Sequence, residues 1–171
     1  LNIAKSTNGG TSWVISKNNA NNMNGIRAAA LFNSIRANGF PRIDVDRSGG
    51  ARNGWIYVVT AEKTIAPATD VSDVILHKST DGGNTWTASR VNQDAAGNGK
   101  YQYMPAVRVD EYGGVNIVFY DTRNTATNDS AQVFVARSID GGTSWSEILI
   151  SDQKFRPTPI SGLATGYQGD Y

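Results

Sequence analysis

The sequence predicts an all-β fold built from repeated four-stranded antiparallel units. Three observations point there. A Gly-rich eight-residue pattern ending in Trp occurs three times. The second and third copies are flanked on both sides by short, largely apolar runs of strand length. Gly, at 18 of 171 residues, punctuates the chain more often than long helices tolerate.

The copies are Ser6-Thr7-Asn8-Gly9-Gly10-Thr11-Ser12-Trp13, Ser79-Thr80-Asp81-Gly82-Gly83-Asn84-Thr85-Trp86 and Ser138-Ile139-Asp140-Gly141-Gly142-Thr143-Ser144-Trp145. Their chemistry is that of a hairpin turn. Asp-Gly is the strongest short hairpin signal, because both central residues of a type I′ turn need positive φ. The second Gly (Gly10, Gly83, Gly142) accepts further unusual backbone angles. The Asn8, Asp81 or Asp140 side chain can take backbone N–H bonds and lock the turn, and Ser6, Ser79 or Ser138 can add another local bond. Trp13, Trp86 or Trp145 then lays a large ring under the loop.

Asp73-Val74-Ile75-Leu76-His77-Lys78 precedes the second copy, and Ala131-Gln132-Val133-Phe134-Val135-Ala136-Arg137 precedes the third. Further upstream, Pro41-Arg42-Ile43-Asp44-Val45-Asp46 matches Pro105-Ala106-Val107-Arg108-Val109-Asp110. Each match is followed by a Gly-Gly turn and an apolar strand. The unit therefore reads strand, turn, strand, loop, strand, turn, strand, which is one blade of a β-propeller. Residues 1–40 hold the second half of an earlier blade plus a connecting loop. Residues 41–104 and 105–156 are whole blades. Residues 157–171 begin another, with Gly169-Asp170-Tyr171 opening its first strand. About two and a half blades are expected, whereas a closed propeller takes four to eight. Remaining blades of the same protein, or a partner chain, are the expected partners that complete the ring.

The formal net charge of +1, carried by scattered basic residues, excludes nucleic acid as the main partner. No Cys is present, so disulfides and thiolate metal sites are excluded. The longest apolar runs fall far short of a membrane span.

The three copies resemble the Asp-box motif, Ser/Thr-x-Asp-x-Gly-x-x-Trp, also called the bacterial neuraminidase repeat. Asn8 replaces Asp in the first copy. Arg90-Val91-Asn92, Tyr103-Met104-Pro105-Ala106-Val107 and Val118-Phe119-Tyr120-Asp121-Thr122-Arg123-Asn124 are also similar to segments of secreted bacterial sialidase-like proteins. The resemblance spans nearly the whole chain. It implies a sialidase-like propeller, secreted or attached to the cell surface, with its Asp boxes on the outer rim. It does not imply catalysis, because one fold hosts many functions.

Sialidases use a Tyr nucleophile. The resemblance adds a Glu that activates the Tyr, an Asp acid/base and three Arg that clamp a carboxylate. The first clamp Arg belongs to a Phe/Tyr-Arg-Ile-Pro motif. Here the letters stand as Phe40-Pro41-Arg42-Ile43, and the second blade has Ala106 in place of Arg42. Tyr120, Asp121 and Arg123 are the candidate catalytic residues, at the end of an apolar strand where pocket residues gather. For Asp121 and Arg123 the favoured reading is an ion pair or turn lock that fixes the loop. Asp44, Asp46 and Ser48 resemble the start of a calcium loop. No bidentate Glu follows at the required spacing, so a turn without metal is the expectation, no cofactor is expected, and calcium is the alternative. His77, the single histidine, is expected to be a half-exposed strand residue. Tyr101, Tyr103 and Met104 suit either packing between blades or a platform for sugar stacking. Asn128-Asp129-Ser130 matches a glycosylation sequon. The incomplete Arg clamp and the missing Tyr/Glu pair favour a module that binds glycans or proteins. The alternative is an exo-sialidase or other glycoside hydrolase with catalytic residues in further blades.

Overall fold

The computed structural model describes residues 2–17, 23, 25–28, 34–63, 70–163, 166 and 168. The expected first strand at Gly169-Asp170-Tyr171 lies outside them. Among the described residues the secondary structure is entirely β. β1 (Asn2–Lys5) and β2 (Val14–Lys17) form one hairpin, and β3 (Arg27–Ala28) pairs with β4 (Ala37–Asn38). A four-stranded sheet follows in the order β5 (Arg42–Val45), β6 (Ile56–Glu62), β7 (Asp73–Ser79), β8 (Thr87–Arg90). A second repeats it as β9 (Gln102–Val109), β10 (Val115–Asp121), β11 (Gln132–Ser138), β12 (Ser146–Leu149). All pairings in both sheets are antiparallel between chain neighbours.

β9 begins at Gln102, so 102–104 belong to the second sheet. The reason is a bulge. Val118 pairs with Ala106 and Tyr120 with Tyr103, leaving Met104 and Pro105 opposite Phe119 alone. Met104 takes up the extra length with φ of 51°. A bulge in an edge strand is also where proline costs no ladder hydrogen bond.

The two sheets share one core. Tyr57, Val59, Val74 and Leu76 on one face of the first meet Val107, Val115, Ile117, Phe119, Phe134 and Ala136 on the facing side of the second. The alternation of burial along β10 and β11 follows directly, since one side of each strand enters this core and the other does not.

The repeat loops are longer than two-residue hairpins. Seven residues separate β7 from β8 and β11 from β12. Positive φ falls on the two glycines of each copy, Gly82 (71°) and Gly83 (92°) in the second, rather than on the preceding Asp. The type I′ expectation over Asp-Gly is therefore corrected. Side chains explain why. Ser79 Oγ donates to Asp81 Oδ1 (2.8 Å) and accepts from the Gly83 amide (2.8 Å), while Asp81 Oδ1 also accepts from the Thr85 amide (2.9 Å). Ser138, Asp140, Gly142 and Ser144 repeat the arrangement. In the first copy Asn8 Oδ1 accepts from the Ser12 amide (2.9 Å), and its Nδ2 donates to Ser12 Oγ (2.8 Å), reversing the bond that Thr85 gives Asp81. The Trp13 and Trp86 indoles donate to the carbonyls of Gly10 and Gly83, both at 3.1 Å. The rings of Trp86 and Trp145 are partly buried, whereas Trp13 is 60% exposed.

These bonds set an acid response. The side-chain and backbone donors of Thr85, with Ser79, hold Asp81 down to about 2, and the same donors from Ser144, with Ser138, lower Asp140. A lowered carboxyl stabilises the fold above its unfolded value near ~4 and loses that contribution as pH falls through the folded value. Thermal melts are expected to show a falling Tm between about pH 4 and pH 2. The Asp81→Asn/Asp140→Asn double variant is expected to show a flatter slope there. An unchanged slope would assign acid sensitivity to other carboxylates.

Candidate functional site

Register places the chemistry at one end of the sheets. Asp121 lies opposite both Gln132 and Gln102, whereas Val115, six residues earlier, lies opposite Ser138, where the third repeat loop starts. At ~3.3 Å per residue the two ends are about 20 Å apart. The same holds in the first sheet, with Glu62 opposite Asp73 and Ile56 opposite Ser79.

At the Asp121 end a cleft of about 230 Å³ opens beside the first strands of both sheets. Arg42 and Phe40 supply one side, Met104, Pro105 and Ala106 another, and Asn38, Tyr120 and Gln168 close it. The bulge that lifts Met104 out of register builds part of this wall. Tyr120 is held by edge-to-face contacts with Tyr103 (5.5 Å between centroids) and Phe155 (5.0 Å). The cleft thus joins one cation and two amides to two aromatic rings, a composition suited to hydroxyl-bearing ligands.

A polar seam between the sheets lies at the same end. Asp121 Oδ1 accepts the Arg123 amide at 2.6 Å, and its Oδ2 accepts Arg123 Nε at 2.7 Å. The same guanidinium binds both Glu147 oxygens, at 2.5 and 3.0 Å, and stands over the Phe134 ring at 4.4 Å. From the first sheet, Arg90 binds Asp73 (2.7 Å) and Asp94 (2.8 Å), and Asn92 donates to Asp73, Asp94 and Gln102. Gln102 Nε2 bridges to Asp94 and Asp121, 3.2 Å from each. Burial lifts the Asp121 carboxyl above its ordinary value, with Arg123 opposing that rise. Burial also pulls the Arg123 guanidinium down, but Glu147 and Asp121 overcome it and hold it above its usual value.

Of the three candidate catalytic residues, the structure gives Tyr120 to the cleft wall and Asp121 and Arg123 to the seam. Sequence reasoning missed Asn38 and Gln168 as cleft residues, whereas Met104, named with Tyr101 and Tyr103 as packing or a sugar platform, lines the cleft. It also missed the seam partners Asp73, Asp94, Gln102 and Glu147. Asp73, Gln102 and Gln132 were visible in principle, as polar residues opening apolar strands. His77 is fully buried rather than half-exposed, because β7 is a central strand covered on both faces, and its Nε2 meets Glu62 Oε1 at 2.5 Å. Tyr103 is buried in a second apolar cluster, with Tyr101 and Met104 packed against it. Asn128 donates to the Gly99 carbonyl at 2.8 Å.

Asp44 lies in β5, and Asp46 and Ser48 follow it in the turn. Asp44 Oδ1 and Oδ2 accept the amides of Val45 and Val109, and Asp46 Oδ1 accepts the amide and hydroxyl of Ser48. Among the described residues no three His, Cys, Asp or Glu groups converge as metal ligands.

No protein-family model matches the chain, and no curated protein matches it in sequence. Its structure is similar to that of a protein of unknown function from Dyadobacter fermentans (22% identity, TM-score 0.54), over 86% of this chain and 37% of the other. It is also similar to an α-L-arabinofuranosidase from Fusarium graminearum (15% identity, TM-score 0.58), over 91% of this chain and 41% of the enzyme. A Hadza microbial sialidase matches with 22% identity and a TM-score of 0.50, over 73% of this chain and 28% of the sialidase. The likeness is one of fold. The chain spans well under half the length of each.

Proposed function

We propose that this chain is a segment of a secreted or surface-attached, sialidase-like β-propeller whose cleft recognises a glycan. The observation that carries the reading is the cleft itself, with Arg42, Asn38 and Gln168 beside Phe40 and Tyr120 at the first strands of both sheets. Aromatic faces take the C–H side of a sugar ring while amide and guanidinium groups take its hydroxyls. The volume lies below the ~300–1,000 Å³ of pockets for drug-sized ligands, which suits a single sugar unit at the end of a chain. The repeat loops of the two four-stranded sheets resemble the Asp-box pattern and sit at the opposite end of those sheets, away from the cleft.

An exo-acting glycoside hydrolase is the second reading. Two of the similar structures, the arabinofuranosidase and the sialidase, carry names of sugar-releasing enzymes. On that reading the cleft is one wall of an active site, and the remaining catalytic groups lie in other blades.

Titration calorimetry against a panel of neutral and acidic monosaccharides and short oligosaccharides tests the first reading. The parent chain is expected to bind at least one. Loss of a charged hydrogen-bond donor costs about 1.5–3 kcal/mol, so Arg42→Ala is expected to weaken binding by at least ~10-fold. Its Tm is expected to stay close to that of the parent. Unchanged affinity in the variant would show that the sugar binds outside the cleft. Release of sugar from aryl glycosides by the chain would select the enzyme reading.

A further inference from the structure

The residue just before each repeat Ser is a cation: Lys5, Lys78 and Arg137. Two of them do the same thing. Lys5 Nζ donates to the Gly82 carbonyl at 3.2 Å, and Lys78 Nζ donates to the Gly141 carbonyl at 3.0 Å. In both cases the acceptor is the first Gly of the next repeat loop along the chain. The cation of one unit thus holds the loop of its successor. Arg137 is the third copy. Its guanidinium reaches Asp110 (2.5 Å) and Asn116 (2.7 Å) in its own sheet, and its side chain is 39% exposed.

The face that carries Arg137 shows the same succession. Lys78 shares a face with Tyr57, Val59, Val74 and Leu76, all buried beneath the second sheet. Their repeat equivalents in the second sheet are Asn116, Val118, Val133 and Val135, which share a face with Arg137. All four are only half-buried, and Ile148, opposite Val135, is 57% exposed. The surface that bears a neighbouring sheet in the first unit stands open in the second.

We propose that this face docks a further four-stranded blade of the same class, supplied by the same polypeptide, and that Arg137 latches it by donating to the first Gly carbonyl of its repeat loop. The proposal rests on the partial-propeller reading above and adds to it the face and the latch. The occupant follows from the established interface between the two sheets. The similar structures, of which the chain covers 28–41%, have length for more blades.

The test extends the full chain by one blade, inserting a second copy of residues 91–149 directly after Leu149, the position equivalent to Arg90. The extended chain and the parent are melted with Arg137, Arg137→Met and Arg137→Lys. Loss of the Asp110 and Asn116 contacts is common to both backgrounds and cancels in the comparison. The expected result is one cooperative transition for the extended chain, with Arg137→Met lowering its Tm by about 3–6 °C more than it lowers the parent's. Arg137→Lys is expected to retain most of the difference, as lysine serves at the other two positions. Equal losses in both backgrounds would overturn the latch while leaving the propeller reading in place. A separate, unstable transition for the added blade would overturn the docking face and count against that reading. Sedimentation of the parent as a dimer that Arg137→Met dissociates would make a second copy the occupant and overturn the same-polypeptide assignment.

Discussion

Arg123→Met is expected to destabilise the chain by about 3–5 kcal/mol, the usual cost of stripping one partner from a buried ion pair. Arg123 answers three carboxylates, Asp121, Glu147 and, at 3.8 Å, Asp94, whose side chains are 0%, 10% and 6% exposed. Without the guanidinium, Asp121 keeps only the Gln102 amide and its turn amide, in a site where burial already raises its carboxyl. The variant leaves an uncompensated charge inside the seam that joins the sheets. Urea denaturation followed by circular dichroism measures the loss. Adding Asp121→Asn and Glu147→Gln to Arg123→Met is expected to recover a substantial part of it, because the charge that suffers is then gone. A ligand-pocket role for Arg123 makes the opposite forecast: stability near that of the parent and lost binding.

Leu76→Ala is expected to cost about 3–5 kcal/mol, the range for a large apolar side chain removed from a packed core. Leu76 is fully buried in the apolar cluster that both sheets share. Its Cδ2 also fills the space against Gly142, where an added Cβ would stand 2.5 Å away. The damage therefore reaches the third repeat loop as well as the sheet interface. Circular dichroism and Trp fluorescence are expected to report one coincident transition at lower denaturant, since both sheets draw on this core. Two separated transitions would mean that the sheets fold as independent units.

The strands and their order were legible because the pattern repeats. Val74 and Leu76 on one face, or Val133 and Val135, mark strands without reference to anything distant. The turn type was not legible. Asp-Gly statistics describe two-residue hairpins, whereas Ser79 Oγ and Asp81 together close a loop of seven residues and move the positive φ onto Gly82 and Gly83. His77 was misjudged because its exposure depends on what covers the first sheet, a tertiary fact. The cleft lay beyond reach for the same reason. It gathers residues as distant as Asn38 and Gln168, and one wall depends on a bulge at Met104 that no local propensity announces. The Asp121–Arg123 pair was visible as two charges two residues apart. Its third member, Glu147, comes from β12, across the sheet.

Amide and side-chain nitrogen NMR of the 171-residue chain, titrated with the panel of sugars, tests the central claim most directly. Shift changes are expected to be confined to Asn38, Phe40, Arg42, Met104, Ala106, Tyr120 and Gln168 and to saturate with sugar concentration. Silence across the panel, or changes gathered around the exposed Trp13 and Ile148, would contradict that claim.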